Sequence, residues 1–184
     1  MSSERSRSTL PPRRSGGSLS STPPPGGLSG GYLSSMPPSP GLIELERSPY
    51  LVTRYDDAAR LVVITRLPAP YPHVDALVAS YQRVELVIAH VPRLRAALLV
   101  DARRAPARND AGFEQAFAPI RQRIIGGFRR KAILVETAVG ALQVKRHARL
   151  DGVDQGIYTD LAEALAYLEV QVDPHLIDLL EPAR

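Results

Sequence analysis

Two short apolar runs, each ended abruptly by polar residues, constrain the fold of this chain more than any other feature. They cover Ala96–Val100 and Ala132–Val135, and a helical pattern follows each of them. A strand that is apolar at every position is buried on both faces, as in a parallel sheet covered by helices, whereas a half-exposed strand alternates. The two runs therefore predict an α/β domain whose central strands are parallel.

The first forty residues have a different composition from the rest of the chain. Ser, Gly and Pro dominate between Ser2 and Pro40, so few apolar side chains are available for a core. We predict a disordered tail over residues 1–41 and a folded domain over residues 42–184. The tail is interpreted either as a linker, with Met36 as a possible true initiator, or as a regulatory segment whose serines accept phosphate; the linker is favoured.

Charge and composition exclude several classes of function. The net charge is +4, and the four arginines and one glutamate of the first forty residues carry +3 of it, which leaves a nearly neutral domain. That balance argues against nucleic acid as a partner. The chain has no Cys, hence no disulfide and no thiolate metal site. No apolar run approaches the roughly 20 residues of a membrane span, and no secretory signal is recognisable, so we expect a cytoplasmic protein. We also expect no cofactor.

Hydrophobic periodicity, capping residues and prolines predict a hairpin followed by alternating helices and strands. Pro119 falls inside one helical pattern, where we expect a kink or a break. Right-handed crossovers would put the helices on the sheet faces, with functional groups beyond the carboxyl ends of the parallel strands. The predicted elements are the strands Tyr50–Tyr55 and Arg60–Arg66, a helix over His73–His90, the strand Ala96–Asp101, a helix after Asn109-Asp110 ended by Gly126-Gly127, the strand Lys131–Glu136, a helix over Ala138–Ala148 capped by Thr137, the strand Gly156–Tyr158, a helix capped by Thr159 or Asp160, and a short helix over Asp173–Leu180.

This order of elements, with the segments Leu98–Asp101, Ile133–Val135 and Ile157–Leu168, resembles the STAS domain shared by anti-sigma-factor antagonists and sulfate-transporter tails. More narrowly it resembles bacterial STAS-like proteins of unassigned role. The resemblance covers about Tyr50 to Leu168. It implies a STAS-like layered fold with a mixed, mainly parallel sheet, and a role in protein-protein interaction and signalling.

The antagonists of that family carry a phosphorylatable serine in an Asp-Ser-Ser-Gly stretch at the start of the helix after the central strand. The counterpart in this chain is Asn109-Asp110-Ala111-Gly112, which places Asp110 at the position of the serine. Asp110 either mimics the charge of a phosphorylated serine or caps the helix, and capping is favoured because Asp is a preferred cap residue. A binding surface around the same helix does not need the serine.

Basic residues follow both central strands and suggest an anion site. They are Arg103, Arg104 and Arg108 in the loop after the first strand, and Lys145, Arg146 and Arg149 on the helix after the second. Free amides at the starts of two helices, near Asn109, Asp110 and Thr137, would add to such a site. The alternative is a solvated face without a function, because the chain is rich in arginine throughout. The histidines, His73, His90, His147 and His175, fall on different elements and predict no shared site.

Taken together, the residues favour a non-enzymatic interaction module that meets a regulatory protein partner through the loop Arg103–Asp110 and the first turn of the next helix. The alternative is a receptor for a small anionic ligand, a nucleotide or a lipid head group, bound at helix N-termini and arginines. An enzyme has no candidate residues. The predicted site residues are Arg103, Arg104, Arg108, Asn109, Asp110, Thr137 and Arg146.

Overall fold

The computed structural model describes residues 41–106 and 110–171, without the side chain of Asp151. Within these ranges the chain forms a six-stranded mixed sheet and four α-helices, which confirms the α/β class. The strands are β1 (Ile43–Arg47), β2 (Leu51–Asp56), β3 (Leu61–Arg66), β4 (Ala97–Asp101), β5 (Arg130–Leu134) and β6 (Gly156–Tyr158), and the helices are α1 (Val74–Val87), α2 (Ala111–Ile125), α3 (Ala138–Asp151) and α4 (Leu161–Leu168). The tail over residues 1–40 and the helix predicted over Asp173–Leu180 lie outside the described residues.

The strands follow one another across the sheet in chain order. β1, β2 and β3 are antiparallel neighbours, and β3 to β6 are parallel neighbours. The two apolar runs lie side by side as predicted, with Val100 opposite Ile133. Leu98 and Leu99 point to opposite faces of the sheet and both are fully buried. The prediction of parallel central strands that are covered on both faces is therefore confirmed.

Two hydrophobic clusters cover the two faces of the sheet. On the first face, α1 and α2 pack against each other and against Val62, Ile64 and Leu98. On the second face, α4 belongs to a cluster that includes the side chains of Val63, Leu99 and Leu134. α3 contacts mainly β6, so the first face is not closed uniformly.

Four helices begin with side-chain caps, three of them at residues that the sequence indicates. Asp110, Thr137 and Asp160 each accept a hydrogen bond from the backbone N–H three residues later. His73 caps α1 in the same way through Nδ1. Gly126 ends α2 as predicted, and a Cβ at this position would lie 2.8 Å from the carbonyl oxygen of Gln122.

Three features differ from the sequence predictions. β1 was not predicted, and it pairs with β2 through a bulge between Glu44 and Glu46. A kink or a break was expected at Pro119, and the break is wrong because α2 continues through that residue. Pro119 and Gln115 are both exposed, so the carbonyl that loses its helical partner lies on the solvent side, where water can hydrogen-bond to it. α3 also extends beyond its predicted end at Ala148.

Candidate functional site

A cleft of about 490 Å³ separates α2 from α3 on the first face of the sheet. Its opening at the carboxyl edge is bordered by residues that follow β4 and β5, the region where ligands of parallel sheets usually bind. Most of the lining is apolar. The principal lining side chains are Val100, Ile133 and Val135 from the sheet region, Phe113, Phe117 and Ile124 from α2, and Val139 and Val144 from α3.

The side chains of α3 explain why the cleft stays open. Besides Val139 and Val144, α3 contributes Gly140, Gln143 and His147 to the cleft lining, and these three residues offer little apolar surface for close packing. Among the described side chains of this helix only Ala148 is buried. His147 Nδ1 of α3 lies 3.3 Å from Glu114 Oε2 of α2, across the cleft. α3 is therefore held against β6 without being packed tightly against α2.

Two of the arginines that line the cleft already have carboxylate partners. Arg103 donates two hydrogen bonds to Asp101, from Nε at 3.0 Å and from Nη2 at 2.9 Å, and Asp101 is only 5% exposed. Arg121 lies 3.4 Å from Glu114. The positive charges of these two arginines are thus balanced inside the site.

A third arginine in the lining, Arg66, has no carboxylate partner among the residues that the structure describes. It is the last residue of β3 and is 9% exposed. None of the ion pairs formed among the described residues involves Arg66, and its Nη1 is buried with no hydrogen-bond partner in that part of the chain. Its guanidinium carbon lies 4.3 Å from the ring centre of Tyr71. Sequence reasoning missed Arg66, although its alternation with Val62 and Ile64 places it on the same face of β3.

The structure brings only part of the predicted anion site together. Arg103 and Thr137 line the cleft, whereas Arg104 and Arg146 are exposed and are not among its lining residues. Asp110 is exposed and its Oδ1 accepts the N–H of Phe113 at 2.9 Å, so it acts as the cap of α2. Arg108 and Asn109 lie outside the described residues.

The helix amides and the remaining basic residues are also placed differently from the predicted arrangement. Thr137 Oγ1 accepts the N–H of Gly140 at 3.1 Å, so a side chain already occupies this amide. Lys145 and Arg149 line a second, more open depression between α3 and β6, which also contains Asp154 and Glu163. Acidic and basic side chains are mixed in that depression, so it is not a cationic surface.

The described residues contain no group of three His, Asp or Glu side chains arranged to hold a metal ion. None of the helices in the described ranges has the length and apolar character needed to cross a membrane. No family model, curated protein or solved structure matches the chain. Its function is therefore inferred from the geometry and chemistry of the cleft.

Proposed function

We propose that this protein is a non-enzymatic receptor for a small organic anion, which binds in the cleft between α2 and α3. The observation that carries the proposal is an apolar cavity of about 490 Å³ with cationic side chains in its lining. Ligand pockets typically enclose roughly 300–1,000 Å³ and combine an apolar lining with a few polar groups. The position of the opening, beside the residues that follow parallel strands, agrees with this role.

The ionisable groups of the cleft favour binding over catalysis. Asp101 pairs with Arg103, and Glu114 pairs with both Arg121 and His147. A general acid or base must reach a proton of the substrate, whereas these side chains are in ion-pair contact with one another. These ion pairs balance most of the charges that line the cleft. We therefore expect a ligand to be recognised by its shape and by Arg66, which has no carboxylate partner among the described residues.

Filling the cleft tests the proposal. Val144→Trp places a large side chain in the cleft, and Leu142→Trp is the matched control because Leu142 is 69% exposed on the same helix and outside the cleft lining. A thermal-shift screen with small carboxylates, sulfonates and phosphate esters should raise the melting temperature of the wild type and of Leu142→Trp, and should have no effect on Val144→Trp. The proposal fails if no anion shifts the wild type, or if Val144→Trp responds equally.

An interaction module of the STAS-like type in bacterial regulation is the second candidate function. The observation that favours it is an exposed apolar stripe on α3, where Val139 is 75%, Leu142 is 69% and Leu150 is 73% exposed. Positions 142 and 150 are eight residues apart and share one helix face, the arrangement by which an amphipathic helix meets a partner groove. The partner would be a regulatory protein.

Affinity capture with two variants tests this second candidate. Leu142→Glu places a charge in the stripe on α3, and Asp110→Arg reverses the charge at the start of α2, the surface indicated by the sequence. A partner lost with Leu142→Glu and retained with Asp110→Arg would support docking on α3. Identical captures from the wild type and Leu142→Glu would eliminate the stripe as a docking surface.

A further inference from the structure

Arg66 is a buried cation without a counter-charge in the part of the chain that the structure describes. Burial of a charged group is costly unless the group is paired, and most buried arginines are satisfied by a carboxylate. The guanidinium carbon lies 4.3 Å from the ring centre of Tyr71. The face of an aromatic ring attracts a cation, so this contact stabilises the charge of Arg66. A guanidinium donates hydrogen bonds from its edge. Nη1 of Arg66 is buried with no hydrogen-bond partner among the described residues, and the residue as a whole lines the cleft.

The neighbouring phenols do not supply the missing negative charge. Burial raises the pKa of Tyr71 and also that of Tyr81, whose hydroxyl groups both lie near Arg66. Both side chains are therefore neutral at neutral pH. The two phenols supply no negative charge to Arg66, and they keep the surrounding volume apolar and aromatic.

The charges around the cleft limit the charge of the ligand. Arg103 and Arg121 each pair with a carboxylate, and Glu136 is an exposed residue of the lining. Among the described residues, Arg66 is therefore the buried cation of the lining that has no carboxylate partner. A single negative charge would balance it. A phosphate ester carries about −1.5 to −2 at neutral pH, and the excess would enter a site of low dielectric without a matching cation.

We propose that the ligand is a monocarboxylic acid with an apolar body, whose carboxylate pairs with the guanidinium of Arg66. This inference rests on the proposed receptor function and identifies its ligand class. The carboxylate oxygens accept hydrogen bonds from the edge of the guanidinium, and the apolar body lies between Phe113, Phe117 and Val144. Nucleotides and phospholipid head groups are disfavoured by the same charge argument.

A series of head groups on one alkyl chain tests the charge requirement with the wild-type protein. Decanoate, 1-decanol and decyl phosphate are compared by isothermal titration calorimetry below their aggregation concentrations, with 2-naphthoate as an aromatic carboxylate. A carboxylate should bind roughly ten- to a hundredfold more tightly than decanol, as expected for charged hydrogen bonds. Tighter binding of decyl phosphate, with sensitivity to Val144→Trp, would overturn this inference and leave the receptor function standing. Binding of none of the four compounds would also overturn it.

Arg66→Met tests the residue itself, and Arg104→Met is the matched control because Arg104 follows the neighbouring strand but is exposed outside the cleft. Arg66→Met should lose roughly ten- to a hundredfold in carboxylate affinity with decanol affinity unchanged, while Arg104→Met binds as the wild type. The unliganded Arg66→Met protein should melt at or above the wild-type temperature, because the substitution removes a buried charge that has no carboxylate partner among the described residues. Unchanged carboxylate affinity in Arg66→Met would overturn the proposal. The head-group series decides the question if this variant does not fold.

Discussion

At the scale of single residues, Tyr71 links the core to the cleft. Its ring packs against Tyr50 and Phe113, with ring centres 4.5 and 6.1 Å away, and against the guanidinium of Arg66 on the cleft side. Aromatic pairs of this kind add about 0.5–1.5 kcal/mol each beyond their buried area. The ring therefore contributes to stability. Burial raises the pKa of its hydroxyl group, and the nearby Arg66 and Ser80 oppose that rise only in part.

The buried phenol of Tyr71 predicts a loss of stability at alkaline pH. Burial raises the pKa of Tyr71 above its ordinary value of 10.0, so above that pH the unfolded chain releases the proton before the folded protein does. The folded state then binds more protons than the unfolded state, and the free energy of unfolding falls as the pH rises. Tyr71→Phe cannot ionise at this position. Urea unfolding monitored by circular dichroism should show a shallower fall for Tyr71→Phe between about pH 9 and pH 11.

The comparison of Tyr71→Phe with the wild type at neutral pH serves as the control. Any difference there measures what the neutral hydroxyl group contributes, because the phenol is protonated in both the folded and the unfolded state at that pH. Only the change of slope above the ordinary pKa reports ionisation. Parallel pH profiles for the two proteins would contradict the assignment of a raised pKa to Tyr71.

At the scale of secondary-structure elements, sequence reasoning worked where one local cause dominates. The all-apolar pattern of β4 has one explanation, burial on both faces, and the cap residues Asp110 and Thr137 act within a single turn. β1 was missed although Ile43-Glu44-Leu45-Glu46 alternates, since the stretch is short and follows a Pro- and Gly-rich segment. Its pairing with β2 depends on a bulge, which is a tertiary feature.

Pro119 and α3 show the two ways in which tertiary structure modified the predicted elements. Pro119 removes one helical hydrogen bond, but the exposed side of α2 tolerates that loss. Of the kink or break predicted there, the break is therefore not found. α3 was predicted correctly as a helix with a Thr137 cap. Its distance from α2 could not be predicted, because helix packing depends on which face meets the neighbouring helix.

At the scale of the whole molecule, the edge of the sheet that borders the cleft could be predicted and the arginine at the centre of our proposal could not. Parallel strands led to the carboxyl edge, and Arg103 and Thr137 do line a cleft there. Arg103 was counted as a cation available to a ligand, because nothing in the sequence indicates that Asp101 is turned toward it in the folded chain. Arg66 was assigned only to a hairpin strand, and its surroundings include Tyr71 and Tyr81, which come from later segments of the chain.

The packing of α4 against the second face of the sheet predicts a difference between two leucines. Leu168 of α4 is fully buried against the second face, whereas Leu150 of α3 is 73% exposed. Leu168→Ala should lower the free energy of unfolding by about 2–5 kcal/mol, because it leaves a cavity under the helix that covers the central strands. Leu150→Ala should change it by less than about 0.5 kcal/mol. Urea denaturation measures both, and an equal loss in the two variants would mean that α4 is not the layer that closes this face.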